Sequence, residues 1–528
     1  MQPPPTPASL PHKQVLIVFS GLMLGMLLAA IDQTIVATAL PTIVGDLGGL
    51  DHLSWVVTAY LLAQTVSTPL FGKLGDLYGR KRLFQSAIVI FVAGSLLSGV
   101  ATSMGQLIAF RAVQGVGAGG LIVLAMAIIA DVVTPRERGR YQGYFGAVFG
   151  AASVAGPLLG GFFTDHLSWR WVFYVNLPLG ILALFVTSAV LPAVGQRRQV
   201  RIDWVGTALL STGIVTLVLL TTWAGADYAW GSPVIIGLGV ATALLGVLFV
   251  LVERRVAEPA IPLRLFRIRT FNVASAVSFI VGVAMFGAIT YLPSFLQVAN
   301  GASASNSGLL LVPMMAGVLL ASITAGQAIT RTGRYRRFPI AGMAVTAVGM
   351  YLLSTLETGS SRVESGLYML VLGIGLGMVM QILVLATQNE APVSDLGVAT
   401  STVSFFRSVG GSVGVAMFGA LFNSRLTSLL GGAAPSDLTP AEIAQLPAGE
   451  QARMAAAFAE SITTVFGYAV PILIVGFALT WLLRETPLRS APAVADRCEP
   501  APAAPTRSAP EPADVVDFTV EPRVTSGA

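Results

Sequence analysis

Residues 72–82 read Gly-Lys-Leu-Gly-Asp-Leu-Tyr-Gly-Arg-Lys-Arg, and residues 326–336 read Gly-Gln-Ala-Ile-Thr-Arg-Thr-Gly-Arg-Tyr-Arg. The glycines at the first and eighth positions and the arginine at the ninth recur in both segments, 254 residues apart. Each segment follows an apolar stretch, as a basic turn after a membrane span does. Matched turns at matched positions predict an internal repeat, although chance similarity between two basic turns remains an alternative.

The composition is that of a membrane protein. The chain has 528 residues, of which 54% are hydrophobic and 11% charged, and its mean hydropathy is +0.77. Soluble domains carry about 25% charged residues, so a cytosolic enzyme, a nucleic-acid-binding protein and a disordered scaffold are excluded. Membrane spans need about 20 apolar residues each. Fourteen stretches are predicted to be spans: 15–40, 53–71, 83–101, 105–130, 141–163, 171–191, 204–223, 234–252, 270–297, 307–330, 339–356, 366–388, 398–423 and 461–483.

Basic residues lie almost entirely on one side of these spans. With loops numbered alternately from a cytoplasmic N terminus, twenty lysines and arginines lie on the cytoplasmic side and four on the outer side. Short loops rich in Lys and Arg stay in the cytoplasm, so both termini are predicted to be cytoplasmic. The loop 390–395 is an exception, because it has no basic residue although it is assigned to the cytoplasmic side.

The spans divide the chain into segments. The first span is retained rather than cleaved as a signal peptide, because it is too long for one and contains Asp32. An amphipathic stretch from about residue 449 is expected to run into the last span. The predicted segments are a cytoplasmic N terminus (1–14), an N-terminal six-helix bundle (15–191), two inserted helices with cytoplasmic linkers (192–269), a C-terminal six-helix bundle (270–483) with an outer loop (424–460), and a disordered cytoplasmic tail (484–528).

Residues for enzyme chemistry are scarce. Cys498 is the only cysteine, so the chain has no disulfide framework. His12, His52 and His166 share no metal-ligand spacing, and no GxxxxGK[ST] loop is present. The sequence therefore predicts no metal site and no ATP hydrolysis by such a loop.

A formal GxGxxG pattern occurs at Gly115, Gly117 and Gly120. A dinucleotide-binding loop follows a strand and has an acidic residue about 20 residues further on. Here the glycines lie inside an apolar span, and Asp131 is too near. Small residues in a membrane helix let neighbouring helices approach closely, and this packing interpretation is favoured.

Several motifs resemble those of the major facilitator superfamily, and specifically of the fourteen-span drug:proton antiporter family 2, over residues 15–485. Besides the loop 72–82, they are Leu-Ile-Ala-Phe-Arg-Ala-Val-Gln-Gly-Val-Gly-Ala-Gly at 107–119, Ala-Ser-Val-Ala-Gly-Pro-Leu-Leu-Gly-Gly at 152–161, Trp-Arg-Trp-Val-Phe-Tyr-Val-Asn-Leu-Pro at 169–178 and Asp-Gln-Thr-Ile-Val-Ala-Thr-Ala-Leu-Pro at 32–41. Ala37 and Ala152 depart from the family's usual Asn and Gly. The first departure puts a polar contact near Asp32 in doubt.

The resemblance implies an all-α integral membrane protein with 14 transmembrane helices. Twelve of them would form two pseudo-symmetric six-helix bundles, and the other two would be inserted between the bundles. Related halves with a binding site at their interface are also what the internal repeat predicts, because secondary transporters are built in this way.

Asp32 is the only carboxylate well inside an early span. At 1.5 Å per residue, Asp32 lies about 13 Å from the outer end of the first span. In the fourth span, Arg111 lies about 9 Å and Gln114 about 13 Å from the same side of the membrane, so the three side chains can meet at one level. A carboxylate near the bilayer centre costs roughly 2.5–3.5 kcal/mol, so it is kept for function or for a partner. Two interpretations stay open: a proton carrier whose pair with Arg111 breaks on protonation, and a permanent structural pair. The resemblance favours the first.

The loop 72–82 also has two interpretations. Its basic residues can contact anionic lipid headgroups. Alternatively, Asp76 binds the N terminus of a helix in the other bundle, where the helix dipole favours an anion. The resemblance supports such a conformational latch, formed by Gly72, Asp76, Gly79, Arg80, Asp131 and Arg140. Thr330 replaces the acid in the second bundle, so the latch is asymmetric.

Other polar and small residues follow helical faces. One set is predicted either to line a central substrate cavity or to form interhelical hydrogen bonds: Tyr60, Gln64, Gln114, Gln381 and Gln388. Arg407 is expected to extend to the inner surface rather than to contact substrate. A helix-packing face, with a bend at its proline, is predicted in span five, and the resemblance associates it with antiport: Gly156, Pro157, Gly160 and Gly161.

These observations predict a proton-coupled secondary exporter of amphipathic drugs or other hydrophobic small molecules. It would work by alternating access, as a monomer, in the lipid bilayer of the bacterial cytoplasmic membrane. Protons would supply the energy, with no cofactor and no nucleic-acid partner. Export of a lipid or a self-made metabolite stays open, as does a proton-coupled symporter. The dependence of transport direction on the proton gradient separates the symporter from the exporters.

Overall fold

The computed structural model describes residues 12–47, 53–133, 135–191, 203–225, 228–256, 259–300, 310–430 and 447–488. Throughout these ranges the secondary structure is helical, apart from a β-bridge between Ala224 and Tyr228. The α-helices are α1 (His12–Leu47), α2 (Leu53–Tyr78), α3 (Arg80–Gly99), α4 (Met104–Val132), α5 (Pro135–His166), α6 (Trp171–Tyr174), α7 (Asn176–Val190), α8 (Trp204–Trp223), α9 (Pro233–Glu253), α10 (Arg269–Asn300), α11 (Val312–Thr332), α12 (Arg337–Ser354), α13 (Arg362–Glu390), α14 (Leu396–Leu429) and α15 (Ala448–Thr480).

Twelve stretches of the described residues are long and apolar enough to cross a membrane. They lie in each of these helices except α2 and α5, with α6 and α7 together forming one stretch. The middle of α2 carries Gln64, Thr65, Ser67 and Thr68, which lower its hydropathy. The chain is therefore an all-helical, multi-pass membrane protein, and composition identifies twelve of the fourteen expected spans.

The helices pack in two groups. Helices α1–α4, α6 and α7 pack chiefly on one another, as do α10–α15, whereas α5 packs on both α1 and α11. The groups meet mainly along α5 with α11 and along α2 with α14. Helix α8 packs on α9 and also contacts α2 and α14. In α9, the apolar side chains of Ile236, Val240 and Leu244 are each more than half exposed. The α8–α9 hairpin therefore lies at the periphery, beside the seam between the two groups.

Both repeated turns contain a glycine with positive φ. Gly79, between α2 and α3, has φ of 95°, and Gly333, between α11 and α12, has φ of 70°. Side chains other than glycine adopt such values at a cost, which explains why glycine occupies the eighth position of both segments. The end of the molecule that carries these two turns is called the basic end below.

Helix α4 packs closely against α2 and α3 through its glycines. A Cβ on Gly115 would overlap the carbonyl oxygen of Tyr60 in α2, and a Cβ on Gly117 would lie 2.5 Å from the backbone nitrogen of Phe91 in α3. Because neither position tolerates a side chain without backbone movement, the packing interpretation of the GxGxxG pattern is confirmed.

Helices on both sides extend into the segment 424–460 that was expected as an outer loop. Helix α14 continues to Leu429, past the predicted start of the loop, and α15 begins at Ala448, in agreement with the stretch expected to run from about residue 449 into the last span. The rings of Phe422 in α14 and Phe458 in α15 pack with their centres 4.8 Å apart, which holds the two helices together at this end of the bundle. The central residues of that loop, 431–446, lie outside the described part of the chain.

The tail expected at 484–528 begins with an ordered segment. The Tyr335 hydroxyl donates to the Arg484 carbonyl oxygen at 2.9 Å, and Asn389 Nδ2 donates to Thr486 Oγ1 at 3.0 Å. These bonds attach residues 484–488 to the basic end, so the expectation of disorder is wrong for them. Residues 489–528, like residues 1–11 at the N terminus, lie outside the described ranges.

Candidate functional site

The side chain of Asp32 is enclosed in the middle of α1, with no exposed surface. Its Oδ2 accepts a hydrogen bond from Arg111 Nη1 at 2.5 Å. Its Oδ1 accepts from Gln114 Nε2 at 2.7 Å and from Asn176 Nδ2 at 3.0 Å. One cation and two amides therefore satisfy the carboxylate, through charge-assisted hydrogen bonds that are stronger than neutral ones. The helical depths counted in the sequence agree with these contacts between Asp32, Arg111 and Gln114.

Arg111 is also buried and is held from three sides. Its Nη1 donates to Gln114 Oε1 at 2.8 Å as well as to Asp32, and its Nε donates to the Val56 carbonyl oxygen at 3.5 Å. The guanidinium carbon lies 4.1 Å from the centre of the Tyr60 ring, which is cation–π geometry. Breaking a buried ion pair by removing one partner costs about 3–5 kcal/mol, so the charge state of Asp32 is coupled to the packing of α1, α2 and α4.

Asn176 is a member of this site that the sequence pattern did not single out. Its Nδ2 is shared between Asp32 Oδ1 and Ser95 Oγ, each at 3.0 Å, and Ser95 Oγ donates to the Phe173 carbonyl oxygen at 2.8 Å. Asn176 is the first residue of α7, and Val175 before it keeps a helical conformation, with φ of −59° and ψ of −26°. Asn176 lies on the buried face of α7, and the signal that could have found it is the family-typical string at 169–178.

Replacement of Asn176 by Ala is expected to slow proton-driven export about tenfold, because a hydrogen bond to a charged group contributes about 1.5–3 kcal/mol. The measurement is the initial rate of dye export in proteoliposomes at equal protein content. Asn423→Ala is the matched control, since Asn423 is exposed in α14. Equal rates for Asn176→Ala and the control would exclude Asn176 from the site.

Three residues expected to line a cavity are instead internal bonding groups. Tyr60 and Gln114 are buried in the Asp32 cluster. Gln388 is also fully buried, and its Nε2 donates to Thr400 Oγ1 at 2.9 Å and to the Met126 carbonyl oxygen at 3.4 Å. For these three residues the interhelical alternative is correct and cavity lining is wrong. Their hydrogen-bonding and ring contacts are made inside the protein.

Gln64 and Gln381 behave differently from those three residues. Gln64 is partly exposed in α2, whereas Gln381 in α13 is 6% exposed. The Oε1 atom of each side chain is enclosed and has no hydrogen-bond partner among the described residues. Buried polar groups are otherwise almost always paired, so these two amide oxygens stand apart from those of Gln114 and Gln388.

A second polar cluster joins the two groups of helices at the basic end. Asp76 Oδ2 accepts hydrogen bonds from the backbone nitrogens of Gly397, at 2.9 Å, and Val398, at 3.2 Å, in the first turn of α14. Asp76 Oδ1 accepts from Arg80 Nη2 at 2.5 Å, and Arg80 Nη1 pairs with Asp131 Oδ2 at 2.8 Å. A carboxylate is stabilised at a helix N terminus by unpaired N–H groups and by the helix dipole.

The helices at this contact approach each other through glycine. A Cβ added to Gly72 would lie 2.8 Å from the Gly397 carbonyl oxygen, and a Cβ added to Gly397 would lie 2.5 Å from the Gly72 carbonyl oxygen. Gly79 makes the turn that follows α2. The expected latch residues Gly72, Asp76, Gly79, Arg80 and Asp131 are therefore together, whereas the side chain of Arg140 lies outside the described part of the chain.

The glycine-rich segment of α5 packs within its own group of helices. A Cβ on Gly156 would overlap Thr34 Oγ1 of α1, and Thr34 Oγ1 donates to the Ala152 carbonyl oxygen at 2.9 Å. A Cβ on Gly161 would meet nothing within 4 Å, so the expectation of close packing is wrong for that glycine. The Gly160 carbonyl oxygen accepts from Thr164 Oγ1 at 3.0 Å, and the side chain of Pro157 is not among those described.

Within the described residues, no group of three or more His, Cys, Asp or Glu side chains is placed to hold a metal ion. The polar chemistry of the bundle is instead that of a buried acid with a cationic partner. Such a group can exchange a proton when water reaches it.

Comparisons with known proteins agree with the fold. Residues 22–415 match the family model of the Major Facilitator Superfamily. The chain is 45% identical to an uncharacterised MFS-type transporter of Mycobacterium tuberculosis, over 97% of this chain and 75% of that protein. It is 43% identical to the multidrug transporter protein MdtP of Bacillus subtilis, over 78% of this chain and 76% of that protein. The solved structure of the proton:xylose symporter XylE is similar in fold, with a TM-score of 0.60 and 15% identity over 89% of this chain and 95% of that one.

Proposed function

The chain belongs to the Major Facilitator Superfamily, whose members are transporters rather than enzymes, and we propose that it is a proton-coupled exporter of amphipathic drugs or other hydrophobic small molecules. In this proposal it is a member of the fourteen-span drug:proton antiporter family 2. It acts as a monomer in the bacterial cytoplasmic membrane, with both termini in the cytoplasm. The naming of MdtP as a multidrug transporter supports the substrate class.

The buried Asp32 cluster carries the proposal. A carboxylate that is enclosed in a membrane bundle and bonded to Arg111, Gln114 and Asn176 has two states that differ in packing. When Asp32 is ionised, it holds α1, α4 and α7 together. When it is protonated, its attraction to Arg111 is lost, and the helices are free to rearrange. A proton taken up at Asp32 from the outside would thus be exchanged for a substrate moved outward.

The contact of Asp76 with the first turn of α14 supplies the second part of the cycle. In the proposal this contact is a latch that closes the basic end, which the distribution of Lys and Arg assigns to the cytoplasm. Opening the latch separates α2 from α14 and admits substrate from the cytoplasmic side. Closing it restores the hydrogen bonds from Gly397 and Val398 to Asp76. The two sites together give alternating access.

The fourteen-span topology is part of the same proposal. Helices α2 and α5, which lie between composition-identified spans and pack on both groups of helices, would be the two additional spans. Two pseudo-symmetric bundles of six spans then remain on either side of the α8–α9 hairpin. The positive φ of both Gly79 and Gly333 supports the internal symmetry.

The test uses purified full-length protein in proteoliposomes with an imposed pH gradient. A panel of cationic, neutral and anionic amphipathic dyes is followed by fluorescence. An antiporter moves dye against the direction of proton flow, reverses when the gradient is reversed and stops when an uncoupler is added. Dye that moves in the same direction as protons would establish a symporter instead. Gradient-independent movement of every dye in the panel would overturn proton coupling.

A further inference from the structure

Four polar side chains in the middle of the bundle have enclosed atoms without hydrogen-bond partners among the described residues. The atoms are Oε1 of Gln64, Oε1 of Gln381, Oγ of Ser404 and Nη1 of Arg407. They come from α2, α13 and α14, and therefore from both groups of helices. We call these four residues the mid-bundle polar layer.

Helix register places the layer at one depth. Gly72 of α2 lies against Gly397 and Ser401 of α14. The two helices are antiparallel, because α2 ends at the basic end and α14 begins there. Gln64 is eight residues, or about 12 Å, from Gly72. On α14 the contact is centred midway between Gly397 and Ser401. A displacement of eight residues from that midpoint, away from the basic end, leads to Arg407.

Helix α13 gives the same depth independently. Gln388 donates to Thr400 Oγ1 at 2.9 Å, which matches these two positions in height. We count seven residues, or about 10 Å, from each member of this pair in the direction away from the basic end. The count leads to Gln381 on α13 and to Arg407 on α14. Gln64, Gln381 and Arg407 therefore lie at one depth in the bundle, and Ser404 lies one helical turn nearer the basic end.

Arg407 is an uncompensated cation in this layer. In the described part of the chain, it makes no hydrogen bond, ion pair or ring contact, and its Nη1 is enclosed. Its main-chain oxygen lies where a Cβ on Gly282 would be, so its backbone is packed against α10. The residue as a whole is partly exposed. An arginine cannot lose its proton in a protein, and an enclosed charged group without a partner is costly.

The polar layer is separate from the Asp32 cluster. Gly119 of α4 lies against the Gln64 main chain, whereas Gln114 of the same helix bonds to Asp32. Five residues of helix separate these two levels by about 7 Å. Asp32 is already paired with Arg111, so its charge is not available to Arg407.

We infer that the mid-bundle polar layer binds the carboxylate of an amphipathic substrate, with Arg407 as the counter-ion and the amide oxygens of Gln64 and Gln381 as acceptors for donors on the same molecule. The inference rests on the proposed function and names its substrate class. An arginine fork pairs with a carboxylate through two parallel hydrogen bonds, and this pairing removes the uncompensated charge. Because the layer and Asp32 are different sites with opposite charge preferences, substrate and proton do not compete for one acid.

The experiment measures equilibrium binding to the full-length protein in dodecylmaltoside micelles at pH 7. The probes are dansyl-phenylalanine, which carries a carboxylate, and its methyl ester, which is uncharged at that position. The wild-type protein is expected to bind the acid at least tenfold more tightly than the ester. The Arg407→Gln variant is expected to lose that preference and to bind the ester within twofold of wild type. Arg407→Lys, which keeps the charge, is expected to retain part of the preference.

Arg425→Gln is the matched control, because Arg425 lies in the same helix and forms an exposed pair with Glu460 at 2.8 Å. It is expected to bind both probes as wild type does. Equal affinity of wild type for acid and ester, or an unchanged preference in Arg407→Gln, would overturn the inference. If Arg407→Gln binds neither probe, Arg407→Lys decides the question. Loss of the preference for the acid in Arg407→Lys would overturn the inference, and retention of that preference would support it.

Two further arms distinguish substrate binding from lipid binding and from proton coupling. Displacement of the bound acid by phosphatidylglycerol, but not by phosphatidylcholine, would assign Arg407 to a lipid headgroup and overturn the substrate assignment. In the second arm the wild-type protein is assayed in micelles, where no gradient exists, and it is expected to keep its preference for the acid even if export proves to be independent of protons. A failure of proton coupling therefore leaves the binding result unchanged, and the two proposals are tested separately.

Discussion

Asp32→Asn is expected to reduce proton-driven dye export by about a hundredfold or more, which corresponds to roughly 2.8 kcal/mol. Asparagine keeps the shape of the side chain and can still bond to Gln114 and Asn176, but it carries neither the charge that holds Arg111 nor an exchangeable proton. The measurement is initial dye flux in proteoliposomes under an inwardly or outwardly directed pH gradient. Counter-flow exchange of dye without a gradient is expected to be much less affected.

Asp46→Asn is the matched control for this variant. Asp46 lies near the outer end of the same helix, where its carboxylate accepts from Trp169 Nε1 at 2.9 Å and pairs with Arg170 at 3.1 Å. The hydrogen bond from Trp169 and then that from Arg170 lower the pKa of Asp46 below its ordinary value. It therefore stays ionised at physiological pH, and its replacement is expected to change the flux less than twofold.

The alternative of a permanent structural pair makes a different prediction. If Asp32 served only to neutralise Arg111, the double variant Asp32→Asn with Arg111→Gln would remove both charges and restore export, because a buried pair is often replaceable by neutral groups. If Asp32 carries the proton, the double variant regains thermal stability relative to Asp32→Asn but not gradient-driven flux. Gradient-driven export by either variant at the wild-type rate would exclude the carrier role.

The contact of Asp32 with Arg111 and Gln114 was predictable because a straight helix advances by a fixed rise per residue. Counting from the helix ends was enough to place the three side chains at one height. Asn176 was not placed in the same way. It shares the buried face of α7 with Gly180, Ala183 and Thr187, and this helical spacing was visible in the sequence. That this face turns toward Asp32 depends on the packing of several helices.

The distinction between cavity lining and interhelical bonding also required the structure. Gln388 and Gln381 are seven residues apart and share one face of α13, so periodicity assigns them the same environment. The structure separates them, because Gln388 donates to Thr400 in its own group of helices and to the Met126 carbonyl oxygen in the other group. The Gln381 Oε1, one layer further on, has no hydrogen-bond partner among the described residues. Arg407 was visible in the sequence as a charge within a span, whereas its lack of a partner among the described residues depends on the packing of several helices.

Asp76→Ala is expected to slow gradient-driven export at least tenfold and to open the basic end. The substitution removes the acceptor for the Gly397 and Val398 backbone nitrogens and leaves Arg80 with Asp131 as its remaining ion-pair partner. A charge at a helix N terminus contributes about 0.3–1 kcal/mol when exposed and up to about 2 kcal/mol when partly buried. Loss of that amount shifts a two-state equilibrium by up to about thirtyfold toward the open state.

The opening is measured as a distance between spin labels on the two groups of helices, one on Arg82→Cys at the start of α3 and one on Thr332→Cys at the end of α11. Both positions are exposed, and Cys498→Ser removes the native thiol. In the Asp76→Ala background the distance distribution is expected to gain a longer component, whereas Glu460→Ala, which removes an exposed carboxylate near the other end of the bundle, leaves it unchanged. A wild-type distribution together with a wild-type export rate would mean that Asp76 merely caps α14, and that a different contact controls access at the basic end.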